Sequence, residues 1–75
     1  MNKQKRKALS GAIQLIEQAK HAIDRVNDQE QTALDNLPEA MSERQGDFED
    51  NVSDMEDAIQ SLDDAIESLS AVISR

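Results

Sequence analysis

The chain has 75 residues, with 16 Asp and Glu against 8 Lys and Arg, a formal net charge of −8, one Phe, and no Cys, Trp or Tyr. That length supports one small domain, 1–75, around a single core, and the missing cysteines exclude a disulfide scaffold, a thiolate metal site and a cysteine nucleophile. The longest apolar run is three residues, Ala71 to Ile73, so no segment reads as a membrane span or a signal-peptide core.

Charge divides the chain. From Met1 to Asn27 six cations stand against Glu17 and Asp24, whereas Asp28 to Glu67 holds 14 carboxylates against Arg44 alone. The basic head, residues 1–7, contributes Lys3, Lys5, Arg6 and Lys7. Clustered cations of this kind grip phosphate backbones. The adjoining acidic body repels nucleic acid, however, and no free aromatic side chain offers a stacking platform. Direct nucleic-acid binding is therefore not expected, and a basic protein partner is favoured. Cations at a helix N-terminus also oppose its dipole, so the first turn is expected to fray.

A first helix is predicted over about 5–35. Leu9, Ala12, Ile13, Ile16, Ala19, Ile23, Val26, Ala33 and Leu34 recur at helical spacing, with Leu15 and Ala22 beside them. Glu30 falls where this stripe expects an apolar residue, and a long stem near a helix end can carry its carboxylate to water. Gly11 costs up to about 1 kcal/mol relative to Ala, tolerable in so long a helix.

The linker, 36–46, contains Pro38, which forbids helical continuation and biases Leu37 away from the helical region. Asn36, Ser42 and Asp47 are candidate N-caps, and Ser42 to Gln45 matches the capping-box spacing. One helical turn is predicted around Pro38 to Met41, before the second helix.

That second helix, about 47–74, carries the strongest signal in the sequence. Phe48, Val52, Met55, Ile59, Leu62, Ile66, Leu69 and Ile73 step by four and three residues in an unbroken heptad seam. The flanking positions Asn51, Ala58, Ala65 and Val72 are uncharged, and small and apolar after the first, where a two-stranded coiled coil would carry charge, while Glu49, Glu56 and Asp63 on the other flank are acidic. A widened apolar stripe suits a bundle helix that touches two neighbours. The fold class is thus all-α, an antiparallel hairpin of two long helices. One hairpin leaves half of each stripe wet, so self-association into a homodimeric four-helix bundle is expected, with Leu9, Ile13, Ile16, Ile23 and Val26 joining the second-helix seam in the core. Disorder is the competing reading for so acidic a chain.

Catalytic patterns are absent. His21, the one histidine, falls on the polar side of the first helix, and Glu17 to His21 is one residue longer than the Glu-x-x-His spacing of di-iron bundles. Asp47 to Asn51 lacks the glycine and closing glutamate of a calcium loop. There is no Gly-rich phosphate cradle or zinc pattern, and no histidine is spaced to activate a serine. No enzyme, metal or cofactor is expected.

The run Asp35-Asn36-Leu37-Pro38-Glu39, then Ser42-Glu43-Arg44, then an acidic heptad helix, resembles small acidic helical proteins encoded by phages and mobile elements of Gram-positive bacteria. The opening Met-Asn-Lys with its basic cluster and the stretch through Glu17-Gln18-Ala19-Lys20 are similar too. Relatives often read Ser-Glu-Arg-Gly-Glu, whereas here Gln45 separates Arg44 from Gly46 and Asp47 follows. The resemblance implies a bacterial cytoplasmic setting in which small acidic proteins often inhibit host machinery.

Three functions compete on these grounds. The first is an inhibitor or adaptor that presents Asp50, Asp54, Asp57, Asp63, Asp64 and Glu67 to a basic protein groove, for example in nucleic-acid-processing or defence machinery. The second is a structural oligomerisation module built on the Ile59 and Leu62 seam. The third is a nucleotide binder that uses the basic head at a subunit junction.

Overall fold

The computed structural model describes all residues, 1–75. Helix α1 spans Lys3–Asp35 and α2 spans Gln45–Ser74, joined through a 3-10 helix at Glu39–Arg44. The predicted all-α hairpin is what forms, each helix beginning about two residues before its expected start. Asn2 accounts for the first difference. Its Oδ1 accepts the Lys5 backbone N–H at 2.8 Å, satisfying one of the donors that a helix start leaves open.

The three residues expected to cap α2 do other work. Asn36 instead closes α1, its Nδ2 donating to the Thr32 carbonyl at 2.9 Å. Ser42 lies inside the 3-10 helix, which runs directly into α2. Asp47 sits in the first turn of α2, where its charge complements the dipole. The capping box does not form either, because Gln45 Nε2 donates to Glu49 at 2.9 Å. Continuity explains these departures. The Gln45 N–H reaches the Ser42 carbonyl, so the preceding turn supplies what a capping side chain would.

The second-helix seam faces α1 as its spacing requires. Val52 is the one buried residue, at 7% exposure, and the other seam positions are half-buried. The first helix differs from expectation. Its half-buried stripe steps through Leu9, Ile13, Ile16, Lys20, Ile23, Asn27, Glu30 and Leu34. Alternating steps of four and three from Ile13 land on Lys20, Asn27 and Glu30, polar though they are. Ala19, Val26 and Ala33 each precede a stripe position by one residue, a rotation of about 100°. Val26 accordingly stands outside the seam between α1 and α2 of one hairpin, at 52% exposure.

The hairpin is a rod of 59 × 15 × 11 Å. Its radius of gyration, 17.2 Å, exceeds the roughly 11 Å of a globular chain of this length. Two helices in one layer have nothing above or below them, and the side chains of that layer are what the surroundings read.

Candidate protein-interaction surface

Polar residues in the α1 stripe find partners on α2. Lys20 Nζ donates to Asp63 Oδ1 at 2.6 Å, the two side chains being 32% and 44% exposed. Its hydrogen bond to Asp63 raises the Lys20 pKa above 10.5; desolvation opposes it, and the charges of Asp63, Glu17 and Asp24 add to it. A raised lysine pKa stabilises the fold fully below 10.5 and loses that contribution only as pH rises through the folded value. Farther along, Asn51 Nδ2 donates to Glu30 Oε2 at 2.8 Å. The two cross-links fix one register, since sliding either helix by a turn breaks both.

Between them lies Asn27, whose buried Oδ1 has no hydrogen-bond partner. An unpaired buried polar atom is a net loss of about 1–3 kcal/mol. Asn27→Leu is expected to raise the unfolding free energy by about 1–2 kcal/mol, because it removes that loss and extends the stripe. Urea unfolding at one fixed protein concentration measures it, and a lower midpoint would contradict the seam position of Asn27.

The acidic residues separate into distinct groups. Asp50, Asp57 and Asp64 are exposed and a heptad apart, on the side of α2 turned away from α1. They form a column of carboxylates about 10 Å apart. Glu67 is exposed beside the acidic flank made by Glu49 and Glu56. Two expected members depart from this surface. Asp63 is held by Lys20, and Asp54 borders an apolar groove. The heptad repeat alone does not distinguish these roles, because which flank of α2 meets a cation depends on where α1 lies.

The basic head packs at the end where both termini meet, and Arg6 Nη2 donates to the Arg75 carbonyl at 3.4 Å. Residues 1–16 and 68–75, which share that end, hold five cationic side chains and no acidic one, whereas 28–57 at the turn end hold 11 acidic side chains against Arg44. The rod is strongly polarised along its length.

Its two broad faces also differ. Residues one position after the stripes are polar, among them Gln14, Glu17, His21 and Asp24 on α1 and Glu56, Gln60 and Glu67 on α2. Residues one position before them are small or apolar over most of the rod, with Gln29, Asp47, Asn51 and Asp54 as polar exceptions toward the turn. Ala22, Val26 and Ala58 join Ile23, Met55 and Asp54 around an open groove of about 390 Å³, and Leu15 stands 66% exposed on the same side of α1.

None of the protein families, curated proteins or solved structures compared with the chain matches it. No three His, Asp or Glu side chains converge as a metal site, and no helix is long and apolar enough to cross a membrane.

Proposed function

We propose that this protein is a non-catalytic, acidic protein-binding module that acts as a homodimer, two hairpins closing a four-helix bundle. The carrying observation is the Asp50, Asp57 and Asp64 column, exposed and without a salt bridge in a chain whose one ion pair is Lys20 with Asp63. A rigid row of carboxylates about 10 Å apart is suited to a basic protein groove, the kind that nucleic-acid-processing and defence enzymes use to hold phosphates. The resemblance to phage and mobile-element proteins supports a bacterial cytoplasmic setting, with inhibition or adaptation of such host machinery as the outcome.

The test is capture of a basic host protein from lysate on immobilised protein at low salt. Its release by about 0.5 M salt is expected, because exposed charge pairs are screened there. Replacing Asp50, Asp57 and Asp64 by Lys is expected to abolish capture and leave helicity unchanged. No basic protein retained at low salt would refute the reading. A purely structural oligomerisation role is the second reading, favoured by a seam in which only Val52 is buried.

A further inference from the structure

The apolar face of the hairpin is uncovered, and its size says what covers it. The chain exposes 5660 Å², about 1,000 Å² more than a compact monomer of its mass. A specific interface removes roughly 800 Å² from each partner. Paired helix from Ala8 to Ala33 is about 40 Å long and two helices are about 20 Å wide, so this face offers that area. A second copy brings an identical face of the same dimensions.

Two copies joined face on face by a two-fold axis run either parallel, turns together, or antiparallel, turns at opposite ends. Resting on the homodimer reading, we infer that the copies pack antiparallel through the Leu15, Val26 and Ala58 face, each basic end against the acidic turn of the other. Charge selects this arrangement. A parallel dimer sets five cations against five and 11 carboxylates against 11, and like charges at close range repel. The antiparallel dimer sets each basic end against an acidic one, twice. Arg6 then approaches the second copy's Asp35, and Arg75 its Asp47.

Shape selects it independently. With the two-fold between Ala19 and Ala22, α1 lies on α1, and the exposed side chains Leu15 and Val26 cover each other twice. On α2 the same axis passes at Ser61, so Ala58 meets the second copy's Ala65. The parallel dimer lays α1 on α2 and sets Val26 between Asp54 and Ala58, so that one of its two neighbours is a carboxylate.

The native chain has no cysteine, so introduced thiols report one pairing each. Ser61 is exposed, and Ser61→Cys is expected to oxidise to a covalent dimer at least about tenfold faster than His21→Cys on the polar face, since only paired thiols approach within disulfide reach. A mixture of Ala8→Cys and Ala33→Cys chains is expected to link preferentially as the mixed pair. Circular dichroism confirms that each variant stays helical, and sedimentation gives its mass before oxidation. A dimer in which the Ser61→Cys chains link no faster than the control overturns the antiparallel arrangement and leaves the homodimer reading standing. A monomer at micromolar concentration overturns both.

Discussion

Ile59→Asp is expected to remove the cooperative thermal transition and most of the helical signal at 25 °C. Ile59 is half-buried midway along the seam of α2, at the level of Ile23 in the antiparallel hairpin. An unpaired carboxylate there has no counter-ion, because the one lysine in the α1 stripe is held by Asp63. Stranding a charge in such a place costs about 3–5 kcal/mol. The whole stability of a chain this short is of similar size, at roughly 0.05–0.15 kcal/mol per residue. Ile59→Val, by contrast, removes one methylene and costs about 1 kcal/mol. Asp57→Lys, two residues away on the outer side, is expected to melt within a few degrees of the parent chain. Circular dichroism melts of the three variants check the inner-face assignment. A parent-like transition for Ile59→Asp would place that residue outside the core.

Leu15→Glu combined with Val26→Glu is expected to dissociate the proposed antiparallel dimer while leaving each hairpin helical. Both side chains are more than half exposed, at 66% and 52%, so neither is needed for α1 to pack on α2. Glutamate is about as good a helix former as leucine. In the proposed dimer each residue would cover the other twice. Losing those contacts removes several kcal/mol of apolar burial and faces carboxylate with carboxylate. At about 1.4 kcal/mol per tenfold, the dissociation constant should rise by at least about 100-fold. Sedimentation equilibrium measures it. An unchanged dimer would locate the interface on another face.

The contrast between these two experiments shows how unevenly the chain reveals itself. Ile59 was legible because eight apolar residues in α2 repeat without interruption, and no other geometry aligns them. Leu15 and Val26 were not separable from the core on the same reasoning. In α1 the true stripe passes through Lys20, Asn27 and Glu30, whose polarity hides it, while Ala19, Val26 and Ala33 continue an apolar row about 100° away. What makes Lys20 and Glu30 tolerable in the stripe are Asp63 and Asn51, lying 43 and 21 residues along the chain. Nothing local signals either partnership. The acidic surface was partly legible for the same reason. Asp50, Asp57 and Asp64 share a heptad column from sequence alone, but that Asp63 is held in an ion pair is decided only by α1 bringing Lys20 to it.

Length, composition and periodicity by themselves determined two helices, a break at Pro38, a polarised charge distribution and a widened apolar strip on α2. These are properties of spacing along the chain, and helical geometry converts spacing into faces without reference to anything distant. Tertiary structure alone decided the register, which polar residues enter the seam, and which apolar row remains outside it. Those depend on pairs brought together across the turn, where an ion pair or a hydrogen bond offsets the desolvation that polarity would otherwise cost.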